Sequence, residues 1–155
     1  MPLKIEFDAS KIARRAKVQL DTAAREVLQD LALEVVKRTP VDTGFLRGNW
    51  QVSINVPPPS RLVDQGQAEV TYAGSSKFPP VAPQTVARVS SEMSRFDLGD
   101  TVYFFNNARY AAAIEKGTAT RRPRAMVSAA VANLDNIARR TINRIKRTKA
   151  MFGAG

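Results

Sequence analysis

Residues 39–50 read TPVDTGFLRGNW, and they mark the point where a long helical pattern stops and a strand pattern begins. Pro40 ends the helix because proline lacks a backbone N–H and disfavours helical angles in the residue before it. Trp50 opens a run in which apolar and polar residues alternate, which is the period of a strand. Between them, the Asp42-Thr43-Gly44 tripeptide suits a short turn, with a side-chain oxygen as the cap and the glycine in a tight backbone angle. The stretch therefore predicts a corner that fixes a helix against a sheet.

The helix before this corner runs from about Ser10 to Thr39, with one apolar stripe along it that we predict to be buried. The stripe consists of Ala13, Ala16, Leu20, Ala24, Val27, Leu28, Leu31 and Val35. At 1.5 Å per residue its length is roughly 45 Å. Leu33 and Val36 fall on the side opposite the stripe. They are either scattered surface apolar residues, which are common, or contacts with a neighbouring subunit. We favour the subunit contact.

The remaining patterns predict short strands and three further helical segments. The whole predicts an α+β fold, in which a three- to four-stranded antiparallel sheet packs with two long helices, N-terminal and C-terminal, plus a short helix. We predict one domain over residues 1–150 and a flexible tail over residues 151–155. In chain order, the predicted elements are a strand at 3–7, the long helix, a strand at 50–56, a loop at 57–66, a strand at 67–73, a loop at 74–83, a short helix from Pro83, a strand at 101–105, a helical turn at 108–116 closed by Gly117, and a long helix at 124–149.

The net charge of +10 is concentrated at the C-terminus, where residues 121–155 hold nine Lys and Arg residues against the single Asp135. Arg140, Arg144 and Arg147 lie near one another on the predicted last helix. This basic stripe is a candidate contact for DNA or for an acidic protein surface, and a solvated helix face explains it equally well.

The composition argues against most enzymes. The chain has no Cys and no His, so it lacks thiolate chemistry, the usual general base and the commonest soft-metal ligand. No glycine-rich phosphate loop and no cluster of acidic residues is present, and we expect no cofactor and no metal. The N-terminus lacks the apolar core of a signal peptide, and no run reaches membrane-spanning length. We therefore expect a soluble protein made in a cytoplasm, with no membrane partner.

One enzymatic alternative remains, because Asp42, Thr43 and Gly44 form the catalytic tripeptide of aspartic proteases. That chemistry needs two carboxylates sharing a proton, which one such chain supplies only as a homodimer. In the proteases the Asp follows an apolar strand and the Gly precedes a small residue, whereas here a helix end precedes and Phe45 follows. A structural corner is the better interpretation.

Two segments together resemble a known family. The first contains Thr39, Pro40, Val41, Asp42, Thr43, Gly44, Leu46, Arg47 and Trp50, and the second contains Asn107, Tyr110, Ala111, Ile114, Glu115, Gly117 and Thr118. In this order and spacing they resemble the tail-completion, or head–tail joining, proteins of long-tailed bacteriophages, a tail-component family of lambdoid phages. An Arg122-Pro123 pair before the last helix fits the same pattern.

The resemblance implies a non-enzymatic protein of the virion, located at the neck and assembled in the bacterial host cytoplasm. It implies a homo-oligomeric ring, commonly a hexamer, with DNA passing through the lumen. The implied partners are the head connector or adaptor and the tail-tube or tail-terminator proteins. Under this hypothesis Asp42, Arg47 and Glu115 hold the corner rigid, with an ion pair between Arg47 and Glu115. The alternative is a nucleic-acid-binding protein that uses the basic C-terminal helix.

Overall fold

The computed structural model describes residues 9–41, 44–61 and 83–152. These residues form six helices and two strands. In chain order they are α1 (Ala9–Arg38), α2 (Phe45–Gly48), β1 (Trp50–Ile54), α3 (Pro83–Met93), β2 (Val102–Asn106), α4 (Ala111–Lys116), α5 (Met126–Ala132) and α6 (Leu134–Phe152). The mixed α and β composition and both long terminal helices agree with the predicted fold.

The described strands form a two-stranded antiparallel sheet, with Trp50 opposite Asn106 and Ile54 opposite Val102. Strand β1 ends at Ile54, because the next residue, Asn55, has a φ of 59° that turns the chain out of the extended conformation. The predicted strands at 3–7 and 67–73 and most of the predicted loops at 57–66 and 74–83 lie outside the described residues. A sheet of three or four strands therefore stays a prediction.

The core lies between α1, the sheet and α5. Its central members are Trp50, which stacks on Phe104 with ring centroids 4.6 Å apart, and Met126 from the start of α5. Helix α3 covers the opposite side, where Val89 and Met93 pack against Ala32 of α1. Because α1 is enclosed by α3, α5 and α6, more than one of its faces is buried.

This enclosure corrects one prediction. Val36, predicted to face solvent or a neighbouring subunit, is only 1% exposed and belongs to the core. Leu33 is half-buried and lines a small cavity of about 100 Å³ between α1 and α3. The single-stripe prediction for α1 was wrong for Val36, because two further helical layers pack against this helix.

The first turns of α1 differ from the rest of the helix. Val18 and Leu20 are 63% and 60% exposed, although Leu20 belongs to the predicted buried stripe. From Asp21 onward the side chains are buried or half-buried up to Val36. The C-terminal part of the helix is therefore the part that the described residues cover.

The C-terminal segment is two helices, where the sequence predicts one. Ala125 has a left-handed backbone conformation (φ 47°, ψ 44°), so α5 begins only at Met126. Asn133 interrupts the helix, and its side-chain oxygen accepts a hydrogen bond from Asn136. Helix α6 then includes Met151 and Phe152, which the sequence predicts to be tail.

Candidate functional site

The corner at residues 39–50 is held together around Thr39, which is 1% exposed. Its hydroxyl donates to the carbonyl of Val35 at 2.8 Å and accepts the indole N–H of Trp50 at 2.8 Å. Its carbonyl accepts the guanidinium Nη2 of Arg47 at 2.8 Å. The end of α1 is therefore tied to α2 and to β1 by buried hydrogen bonds.

Gly44 makes the short turn at this corner possible. Its φ of 86° lies in the left-handed region that favours glycine, and α2 follows directly. The predicted role of Gly44 is confirmed. Asp42 and Thr43 lie outside the described residues, so their predicted roles, as a helix cap or as the protease tripeptide, stay predictions. Leu46 of α2 is buried in the core.

The second family segment meets the corner through Tyr110. Asn106, the residue directly before this segment, also contacts the corner. Asn106 donates through its side-chain amide to the carbonyl of Leu46 at 2.7 Å. The ring of Tyr110 packs against Phe45, with centroids 6.2 Å apart. Asn107, the asparagine of the predicted motif, instead donates to the carbonyls of Pro59 and Arg61 at 2.6 and 2.8 Å. The two segments quoted from the sequence are therefore one structural unit.

Glu115 connects this unit to α5. Its carboxylate accepts the backbone N–H of Val127 at 3.0 Å, and the N–H and hydroxyl of Ser128 at 2.9 and 2.8 Å. Partial burial raises the pKa of Glu115, but these hydrogen bonds outweigh burial and leave the pKa below its ordinary value. The carboxylate thus caps the exposed N–H groups at the start of α5.

The predicted ion pair between Arg47 and Glu115 is a further correction. No ion pair joins these two side chains among the described residues, because each is engaged elsewhere: Arg47 with Thr39, and Glu115 with α5. Gly117 closes α4 as predicted, with φ 78° and ψ 177°. A Cβ at this position would lie 2.7 Å from the carbonyl oxygen of Arg121, so the close return of the chain requires glycine.

Arg88 is a positioning residue of this corner that the sequence did not reveal. It reaches from α3 to the carbonyls of Gly48, at 2.5 Å, and Trp50, at 3.2 Å. A single arginine on a predicted surface helix carries no pattern that identifies such a contact. It is visible only once α3 is placed beside β1.

The two family segments and the chain that leads into α5 enclose a groove of about 870 Å³. Its lining is largely apolar, and three exposed arginines stand at its edge. The lining residues are Pro40, Val41, Gly44, Phe45, Leu46, Tyr110, Ala113, Ile114, Thr118, Arg121, Arg122, Pro123 and Arg124.

The basic stripe on α6 is divided in its contacts. Arg144 forms ion pairs with Glu26 at 3.1 Å and Asp30 at 2.9 Å, both on α1. The hydrogen bond that Arg144 donates to the Glu26 carboxylate, and then the one that it donates to Asp30, raise the pKa of Arg144. Arg140 and Arg147 are exposed and border, with Arg144, a shallow concavity of about 380 Å³. Arg144 therefore fastens α6 to α1, while its two neighbours face solvent.

Metal binding and membrane insertion each need a recognisable arrangement of residues. Within residues 9–41, 44–61 and 83–152 there is no group of three or more His, Cys, Asp or Glu residues placed to hold a metal ion. None of the described helices combines the length and apolar character that a membrane-spanning helix needs.

Comparison with known proteins identifies the family. The model of the family described as "Bacteriophage HK97-gp10, putative tail-component" matches residues 4–117, which is more than half of the chain. The chain therefore belongs to this family of phage tail components, and the resemblance predicted from the two segments is confirmed. The match includes the first segment and the second as far as Gly117, so it ends before the arginines at the edge of the groove and before α5 and the basic helix α6. No curated protein and no solved structure matches the chain.

Proposed function

We propose that the chain is a non-enzymatic structural protein of the phage neck. In this proposal it forms a ring, commonly hexameric in related joining proteins, that completes the tail and joins it to the head connector around the DNA channel. It is assembled in the host cytoplasm and remains in the virion. Membership of the tail-component family supports the structural role.

One observation carries the proposal: the polar side chains shared with the family are used to hold the backbone. Arg47 and Trp50 both bond to Thr39, and Glu115 caps α5. A catalytic site needs polar atoms directed at a substrate, whereas these atoms are directed at main-chain groups and at one another. Such a corner makes a rigid wedge, which is what a ring subunit requires.

The surface that we propose for a neighbouring subunit differs from the one predicted from the sequence. Val18 and Leu20, at the N-terminal part of α1, are exposed. They replace the buried Val36 as candidate residues for contact with a neighbouring subunit. Leu33 remains a candidate at the edge of α1 and α3. A heterologous contact, which uses two different faces of each subunit, closes into a ring when the rotation between neighbouring subunits closes.

The nucleic-acid-binding alternative is favoured by one feature, the exposed pair Arg140 and Arg147. If binding duplex DNA is the principal activity, the affinity falls steeply with salt concentration, because phosphate contacts release counterions. Replacing both arginines by Glu then abolishes DNA binding. For a ring protein, the same replacement leaves assembly on tails intact.

The proposal is tested by adding the purified chain to phage tails that lack it. Light scattering first measures the mass of the free protein, and negative-stain imaging then locates it on the tails. The expected result is one ring at the head-proximal end of each tail. Binding along the whole tube, at the distal tip, or nowhere would overturn the neck assignment.

A further inference from the structure

The groove beside the corner has a chemistry that the family match does not assign. Its apolar part comes from Val41, Phe45 and Ile114, while Arg121, Arg122 and Arg124 stand at its edge. The arginines are exposed, and among the described residues none of the three guanidinium groups forms an ion pair. A site of this composition combines apolar contact area with positive charge that no acidic side chain of the described residues pairs.

We propose that this groove binds an acidic segment of a different protein, anchored by an apolar side chain between its carboxylates. Carboxylates suit the arginines because guanidinium groups bind them in a planar, often bidentate geometry. The apolar anchor suits the apolar lining of the groove. The whole groove has a volume of about 870 Å³ and accommodates a few side chains. The place of this partner in particle assembly rests on the proposed function, but the binding chemistry does not.

Charge argues against a second copy of the chain as the occupant. The chain has 24 Lys and Arg residues against 14 Asp and Glu residues, so a second copy offers few carboxylates to the arginines of this groove. The carboxylates on α1 are already paired within the chain: Asp21 with Lys17, Glu34 with Arg38, and Glu26 and Asp30 with Arg144. A distinct acidic protein supplies unpaired carboxylates, which α1 of a second copy does not offer.

Duplex DNA is also less suitable than an acidic protein segment. The phosphate backbone satisfies the arginines but has no apolar group to place against Val41 and Ile114. DNA binding in this groove would therefore leave its apolar part in contact with water, whereas an aliphatic or aromatic anchor removes it from water. The two ligands differ in a measurable way, because only the affinity of the protein segment depends on the apolar lining of the groove.

The test uses the full chain and a fluorescein-labelled peptide, Glu-Asp-Leu-Phe-Asp-Glu, with binding followed by fluorescence anisotropy. Two further peptides replace either the acids by Lys or the Leu-Phe pair by Ser-Ser. A 20-base-pair duplex is titrated in parallel. We expect the first peptide to bind and the two altered peptides to bind about tenfold more weakly or not at all.

Two pairs of variants localise the site. Arg121→Glu with Arg122→Glu reverses the edge, and Arg139→Glu with Lys146→Glu makes the same charge change on α6, outside the groove. Ala113→Glu places a carboxylate in the groove, and Ala112→Glu places one at a neighbouring exposed position of α4 that does not line it. The groove variants should weaken peptide binding about tenfold, and the controls less than about twofold.

Equal losses in the groove variants and their controls would show non-specific attraction and overturn the proposal. So would duplex DNA binding that Ala113→Glu leaves unchanged while the peptide fails to bind. Circular dichroism of each variant confirms that it is folded, and the Ala113 pair keeps the test decisive if the double arginine variant is not. Assembly on tails is scored separately, so peptide binding without a neck ring would refute the proposed function alone.

Discussion

The hydroxyl of Thr39 provides the sharpest test of the corner. The substitution Thr39→Val keeps the shape of the side chain and removes its oxygen. The indole N–H of Trp50 then loses its hydrogen-bond partner, while the Val35 carbonyl keeps a bond from the Thr39 backbone N–H at 3.1 Å. Because Trp50 is 4% exposed, water cannot easily replace the lost oxygen.

The expected cost follows from that geometry. A buried donor left without a partner destabilises a protein by about 1–3 kcal/mol. We expect the free energy of unfolding to fall by about 2 kcal/mol, which lowers Tm by about 4–8 °C for a domain of this size. The matched control is Thr22→Val on α1, where the hydroxyl makes the same kind of bond to the carbonyl four residues earlier, but the bond is exposed to solvent. It should change stability by less than about 0.5 kcal/mol.

Urea unfolding measures both values. Trp50 is the single tryptophan of the chain and stacks on Phe104, so its fluorescence reports the corner directly. The substitution Trp50→Phe removes the indole N–H, and unfolding of this variant is followed by circular dichroism. In the Trp50→Phe background, Thr39→Val should lower the free energy of unfolding by at least about 1 kcal/mol less than in the wild type. Equal costs in both backgrounds, or a loss no larger than that of Thr22→Val, would refute this role of Thr39.

Three further substitutions test the other contacts. Glu115→Gln should lower stability by about 1 kcal/mol at neutral pH, as the loss of a helix cap does. Because the pKa of Glu115 is lowered in the folded protein, its contribution to stability is present above the ordinary pKa of 4.5 and disappears as the pH falls through the folded-state pKa. The free energies of unfolding of variant and wild type, measured by urea titration, should therefore converge below about pH 4.5. A difference that stays constant with pH would contradict this cause. Arg144→Ala should cost up to about 1 kcal/mol, less at high salt, whereas Arg140→Ala on the same helix should cost almost nothing; equal thermal shifts would show that the ion pairs to α1 are unimportant. Gly117→Ala should destabilise more than Gly99→Ala by calorimetry, since both have positive φ but only Gly117 would bring a Cβ within 2.7 Å of backbone; the reverse order would contradict the packing.

The elements that are determined locally were predictable from the sequence. Pro40 and Trp50 set the end of α1 and the start of β1, and Gly44 and Gly117 mark backbone angles that glycine favours. These features depend on residues close in the chain, so their patterns are visible without a fold.

Contacts between distant segments were not predictable. Val36 was placed at the surface because a single helix shows only its own stripe, while α3 and α5 pack on further sides of it. The pairing of Arg47 with Glu115 assumed that two shared charges meet, yet each lies nearer to main-chain groups. Arg88 and Asn106, which hold the corner from other elements, have no marker in the local sequence.

The central claim, that the chain joins tail to head, is tested most directly by complementation in vitro. A lysate of the phage that encodes the chain, with this gene inactivated, is mixed with purified protein and the plaque titre is measured. The account predicts separate full heads and tails before addition, and a rise in titre when wild-type protein is added. Infectious, joined particles in the untreated lysate would contradict it.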